Sequence, residues 1–144
     1  MKMYNLLHDI KVFGLQVKSF PAGIAEAFYE LIKKTGDCAG ARSYYGIGYM
    51  TPDGQIIYKA AALEKYKDEA EKYSCERYTI EKGEYVTITL YGWQKKTDCI
   101  KDLFHELMRD NRVGKTKPYV EWYKDDNEMM CMIQTDSEKN NIAK

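Results

Sequence analysis

The chain has 144 residues, 44% hydrophobic and 31% charged, which is ordinary for a globular protein and long enough to bury a core without disulfide or metal staples. Lys plus Arg balances Asp plus Glu at 22 each, so no overall field draws the protein to phosphate backbones or anionic lipid. These values argue against wholesale disorder, direct nucleic-acid binding and a second domain, and leave tyrosine, at 13 residues, as the unusual feature.

The N-terminal stretch MKMYNLLHDIKVFGLQV has no long apolar run ahead of a cleavage site, and no segment reaches the length of a membrane span. A cytoplasmic protein with reduced thiols and no membrane partner is expected. Cys38, Cys75, Cys99 and Cys131 are far apart and form no C-x-x-C pair, so neither a metal site nor another cofactor is expected.

In chain order, Lys11 to Phe20 reads as a strand, and SFPAGIAEAFYELIKKTGD reads as a helix. Ser19 or Phe20 lies at its cap region, Pro21 suits the first turn, and Gly36 suits the exit. Ile24, Ala27, Phe28 and Leu31 follow helical spacing between them. Arg42 to Met50 and Gln55 to Leu63 form a hairpin around TPDG, where Pro52 fixes φ and Gly54 frees it. A charged connector follows, with a short helix near Asp68 to Lys72.

Glu76 to Trp93 reads as one long strand bent or bulged at Gly83. Thr97 to Asn111 is a helix capped by Thr97, with Ile100, Leu103, Phe104, Leu107 and Met108 along one face. PYVEWYKDD and EMMCMIQTD form a second hairpin around Asp125 to Asn127.

The chain is therefore an α+β protein of tandem, duplicated β-α-β-β units related by a pseudo-twofold axis. The first repeat covers about 8–63, a linker 64–75 and the second repeat 76–135, with a polar tail at 136–144. Neither unit can cover its sheet alone, so antiparallel sheets with both main helices on one face are expected, leaving a ligand groove between the halves.

Within PYVEWY, strand periodicity sends Tyr119, Glu121 and Tyr123 to one face and Val120 and Trp122 to the other. A carboxylate between two phenol rings is either a solvent-facing charge or the floor of a pocket. In a pocket, burial raises its pKa, and a flat lipophilic cation that stacks on rings and pairs with the acid offsets the cost. The aromatic strand residues expected to line such a slot beside Glu121 are Tyr119, Tyr123, Tyr91, Trp93, Tyr45, Tyr49 and Tyr85.

Other chemistry has less support. There is no G-x-S-x-G elbow, His105 reads as a helix-boundary or surface residue, and Cys99 reads as packing. The G-I-G at 46–48 lies on a hairpin strand without the following helix that phosphate binding requires. The basic run Arg109, Arg112, Lys115 and Lys117 follows a helix C-terminus and meets solvent.

The tandem layout, the strand EKGEYVTITLYGW leading into a helix, and PYVEWY followed by EMMCMIQT resemble the GyrI-like small-molecule-binding domain. That family includes the effector-binding modules of AraC-type and MerR-type transcription regulators, and the resemblance spans about 8–135. It implies that Pro118, Glu121 and Tyr123 match the family's pocket-glutamate segment, and that the ligand is an amphipathic, often cationic aromatic compound. No helix-turn-helix precedes the domain in this sequence, so a stand-alone binder or an accessory to a transcription regulator is the role implied, with any protein partner unidentified. The resemblance carries two further expectations. One is a hydrolase of reactive cyclopropane-containing compounds with Glu121 as general base; the other is a gyrase-inhibitor-like modulator.

Overall fold

The structure, a computed structural model, describes residues 1–18, 22–37 and 40–136. The expected cap of the first helix at 19–21, Cys38 and all but the first residue of the polar tail lie outside the described residues.

The elements run β1 (Lys2–Leu6), β2 (Ile10–Gln16), α1 (Ile24–Thr35), β3 (Tyr44–Met50), β4 (Ile56–Leu63), α2 (Glu69–Lys72), β5 (Glu76–Ile80), β6 (Gly83–Tyr91), a 3-10 turn (Trp93–Lys95), α3 (Cys99–Arg109), β7 (Tyr119–Tyr123) and β8 (Glu128–Gln134). The α+β class and the repeated strand-helix-strand-strand order agree with the sequence. Gly36 ends α1 in the left-handed region at φ +68°. Asp98 rather than Thr97 precedes α3, and neither helix has a side-chain cap.

One expectation is corrected: residues 76–93 are not one bent strand, because Gly83, at φ +139°, opens a separate strand after the short link 81–82. The residues ahead of Lys11, to which the sequence assigned no element, form β1. Each half is therefore β-β-α-β-β, and the halves exchange their first strands, β1 pairing with β6 and β5 with β2.

One continuous antiparallel sheet results, ordered β1-β6-β8-β7-β3-β4-β2-β5. Advancing each strand of the first half by four reverses this order, which places the pseudo-twofold axis between β3 and β7. In this order β5 and β6 are six strand spacings apart, roughly 29 Å in a flat sheet, yet three Cα steps from Ile80 to Gly83 reach only about 11 Å. The same holds for β1 and β2, joined by 7–9. The sheet must therefore curl until its edges approach. Where the links meet, Asp9 Oδ1 accepts the Lys82 N–H at 2.8 Å, and the Tyr85 hydroxyl donates to the Glu81 carbonyl at 2.5 Å.

Leu6, Val12, Tyr45, Ile47, Ile80, Tyr85, Val120 and Met132 fill the inside of the curl. The outer face carries both main helices. Ala27 and Leu31 of α1 are buried against Val17, Phe13, Ala60 and Ala62, while Phe104 and Leu107 of α3 are buried against Val86, Met129, Cys131 and Ile133. Cys99, expected to pack, is exposed because it sits at the solvent side of the first turn of α3. His105 is exposed, and Arg109 and Arg112 pair locally with Glu106 and Asp110. Among the described residues no helix is long and apolar enough to cross a membrane.

The linker is anchored by a buried ion pair that the sequence reading did not single out. Glu69 in α2 accepts from Arg42 Nη1 at 2.9 Å, from Arg42 Nη2, and from the N–H groups of Lys65 and Tyr66 at 2.5 and 2.9 Å. The two side chains are only 2% and 8% exposed, so removing either partner strands a buried charge. The hydrogen bonds from Arg42 hold the Glu69 carboxyl down at about 2, below its ordinary 4.5.

Arg42→Met is expected to cost about 3–5 kcal/mol in urea unfolding. Because the folded pKa of Glu69 is depressed, its contribution is complete above pH 4.5 and is lost as pH falls toward 2. Acid titrations of the wild type should show that loss, and Glu69→Gln should lack it.

Candidate functional site

On β3 and β7, at the centre of the sheet, alternation places Tyr44, Gly46, Gly48, Tyr119, Glu121 and Tyr123 on the outer face. The paired positions are Tyr44 with Tyr123, Gly46 with Glu121 and Gly48 with Tyr119. α1 packs over β4 and β2, and α3 over β8 and β6, so the two central strands floor the gap between the helices.

Glu121 lies in this gap. Tyr58 of β4 reaches across β3, and its hydroxyl donates to Glu121 Oε1 at 2.5 Å. The Tyr123 hydroxyl donates to the same oxygen at 2.6 Å. Neither phenol bonds to Oε2, and Glu121 forms no ion pair among the described residues. The residue keeps partial solvent access although protein surrounds its carboxylate. Burial raises its pKa above 4.5, and the hydrogen bonds from Tyr123 and Tyr58 work against that rise. Both phenols are pushed well above their ordinary pKa, first by burial and then by the neighbouring acid, so they stay protonated as donors.

Across β8, Cys131 pairs with Glu121, and its thiol is pushed up to about 12, mainly by burial. Cys131 is fully buried in the apolar cluster beneath α3, beside the acid on the next strand.

Rings from both halves converge on Tyr123. Phe28 of α1 meets it edge-on with ring centres 5.8 Å apart, and Trp93 approaches to 4.8 Å from the other side. Tyr44 packs against Phe28, and Tyr119 against Phe104 of α3. Trp93 is oriented by its indole N–H, which donates to the Asp125 carbonyl at 2.8 Å, and the turn holding Asp125 also accepts the Gly92 N–H through Asn127. Tyr44 is fixed by donating to Asp37 at 2.6 Å.

Gly46 is required by this arrangement. A Cβ there would overlap Tyr58 Oη and Glu121 Oε1, so the phenol-carboxylate contact crosses β3 only because the side chain is missing.

The structure thus brings together four of the residues that the sequence grouped: Glu121, Tyr119, Tyr123 and Trp93. It does not bring Tyr45, Tyr49, Tyr85 or Tyr91 to them. Tyr45 and Tyr85 point into the curl as buried core, Tyr49 shares that inner parity beside Lys59, and Tyr91 is 59% exposed on the side of β6 away from Ile88 and Leu90. Trp122, also on the inner parity, stacks on Tyr45. Tyr58, Tyr44, Phe28 and Gly46 were not assigned to the slot from sequence. No sequence signal separates Tyr44 from Tyr45 or selects Tyr58; strand order and register do.

Two surface depressions of about 190 and 180 Å³ lie elsewhere, at the β5 edge beside Arg77 and Glu64 and between β2 and α1. The described residues contain no cluster of His, Cys, Asp and Glu suited to a metal.

No protein-family model and no curated protein matches this chain in sequence. Its fold does match solved structures. An integron cassette protein from the mobile metagenome of Vibrio cholerae aligns at TM-score 0.66 and 15% identity, over 94% of this chain and 95% of that one. SAV2435, solved bound to tetraphenylphosphonium, aligns at 0.62 and 14%, over 96% and 95%. The C-terminal domain of EcmrR aligns at 0.60 and 14%, over 94% and 96%. At these identities the likeness is one of fold, and the fold is that of the GyrI-like domains.

Gly46→Ala is expected to destabilise the protein by about 1–3 kcal/mol, because backbone or both polar side chains must shift. Chemical denaturation measures the loss, which should greatly exceed that of Ala at an unobstructed strand glycine.

Proposed function

We propose that the protein binds amphipathic, cationic small molecules in the gap between α1 and α3, with Glu121 as counter-ion. The observation that carries this reading is the Glu121 carboxylate itself, surrounded by protein and rings, held through one oxygen by two phenols and without an ion pair among the described residues. Desolvating a carboxylate costs several kcal/mol, and two hydrogen bonds to a charged acceptor return only about 1.5–3 each. A lipophilic cation supplies the missing charge, and Tyr123, Trp93, Phe28 and Tyr119 supply faces on which it stacks. That one structure of this fold was solved with a lipophilic phosphonium ion supports the reading. Selection is then by charge and apolar shape, which suits sensing or sequestration of toxic compounds, whether alone or beside a transcription regulator.

A hydrolase reading shares the same site. Both phenols donate to Oε1, and a carboxylate with a raised pKa is a stronger general base. Product formed by catalytic amounts of protein, lost in Glu121→Gln while affinity survives, would favour hydrolysis over binding. A gyrase-inhibitor-like modulator would instead act on its target with no small molecule present.

A lipophilic cation such as tetraphenylphosphonium should quench Trp93 fluorescence, whereas Trp122, inside the curl, should respond little. Glu121→Gln should weaken that binding on the order of 2 kcal/mol, about thirtyfold, with the fold intact. Equal binding of a neutral isostere would refute the counter-ion role.

The pH dependence has a definite sign. The folded pKa of Glu121 lies above its unfolded value, so ionisation costs the empty protein stability, a cost absent below 4.5 and complete above the folded pKa. Cation affinity should therefore rise with pH through that pKa, and calorimetry in buffers of different ionisation enthalpy should show a proton released on binding. Glu121→Gln should abolish both effects.

A further inference from the structure

Tyr44 and Tyr123 are partners in register on β3 and β7, and each hydroxyl donates to a carboxylate at 2.6 Å, Tyr123 to Glu121 and Tyr44 to Asp37. Phe28 of α1 meets both rings edge-on. Its ring centre is 6.4 Å from that of Tyr44 and 5.8 Å from that of Tyr123, with interplanar angles of 80° and 79°. Such pairs depend on ring angle as well as distance, so what aims Tyr44 also sets Phe28 against Tyr123. Tyr123 is anchored on the acid that the cation would engage. Tyr44 is anchored on an acid that stands apart from it.

The surroundings of Asp37 suit it to that task. Its own N–H donates to the Ile32 carbonyl at 3.2 Å, just past Gly36, so the exit of α1 fixes its backbone. Its Oδ1 accepts the Ala41 N–H at 2.8 Å, and Oδ2 accepts the Arg42 N–H at 3.1 Å beside the Tyr44 hydroxyl. An ionised carboxylate only accepts, which fits a position where all three neighbours donate. Burial works to raise its pKa, but the hydrogen bonds from Tyr44, Ala41 and Arg42 outweigh it and hold the carboxyl below 3.8. The Arg42 guanidinium is turned instead to Glu69 and the Leu63 carbonyl. A phenol that donates to an ionised acceptor is held about twice as strongly as one that donates to a neutral group.

We propose that Asp37 is a positioning residue for the candidate site: through the Tyr44 hydroxyl it sets the Phe28 ring against Tyr123, and the affinity for an aromatic cation depends on it without any contact to the ligand. This rests on the binding reading above.

The test measures tetraphenylphosphonium affinity by isothermal calorimetry on the full chain, with urea unfolding alongside. Asp37→Ala should weaken binding about three- to tenfold, the worth of one aromatic pair. Tyr44→Phe, which keeps the ring and deletes the hydroxyl, should lose the same factor. The double variant Asp37→Ala with Tyr44→Phe should lose no more than either alone, because both remove one interaction. Asp37→Asn, which keeps an acceptor, should return most of the affinity. Lower stability of Asp37→Ala with unchanged affinity would overturn the proposal, since Asp37 would then only clamp the loop at Ala41 and Arg42. So would an Asp37→Ala loss that persists undiminished in Tyr44→Phe, or an Asp37→Asn variant no better than Asp37→Ala. Should Asp37→Ala fail to fold, Tyr44→Phe decides, and an unchanged affinity refutes the role. If the wild type binds, and Glu121→Gln weakens it while Asp37→Ala does not, the counter-ion site stands without Asp37. If the wild type does not bind the cation, both fall.

Discussion

Two short links, 7–9 and 81–82, join strands that lie six places apart in one sheet, and a sheet so connected closes only by curling. The rest of the architecture depends on that constraint. The inside of the curl becomes a core made by the sheet alone, rich in Tyr45, Tyr85, Ile47 and Met132, so the helices can pack only outside. There each helix covers the strands of its own half, and the two central strands, one from each half, are left between them. The gap follows from the connectivity, without any loop having to shape it.

The chemistry of the gap follows from the pairing of β3 with β7. Glu121 is placed opposite a glycine, which lets a tyrosine from the next strand over reach its carboxylate. The phenols of Tyr58 and Tyr123 offset part of the cost of burying the charge, but both bind one oxygen. A wall that is mostly rings, and a carboxylate that has no ion pair among the described residues, are the features on which the binding proposal rests. The elements that position the rings come from both halves: α1 contributes Phe28, the turn after β6 contributes Trp93, and the β7–β8 turn holds Trp93 in place.

Residues close in sequence have opposite fates here. Tyr44 and Tyr45 are neighbours, yet one faces the helices and bonds Asp37 while the other is core inside the curl. Tyr85 and Tyr91 lie on the same strand as Ile88 and Leu90 but on the opposite parity, which removes them from the gap. Gly46 and Gly48, two positions apart on one face, differ in what would occupy the space of a side chain. Composition cannot register such differences, because they are properties of which strand lies alongside.

The sequence by itself determined the duplicated layout, the apolar stripes of α1 and α3, both hairpins and the shared face of Tyr119, Glu121 and Tyr123. Each of these depends on periodicity or turn chemistry within a few residues. Only the tertiary structure decided that β1 and β5 exist as exchanged edge strands, that Arg42 and Glu69 pin the linker, and that Tyr58, Tyr44 and Phe28 join Glu121. Those outcomes depend on strand order, register and curl, which bring together residues tens of positions apart and which no local pattern encodes.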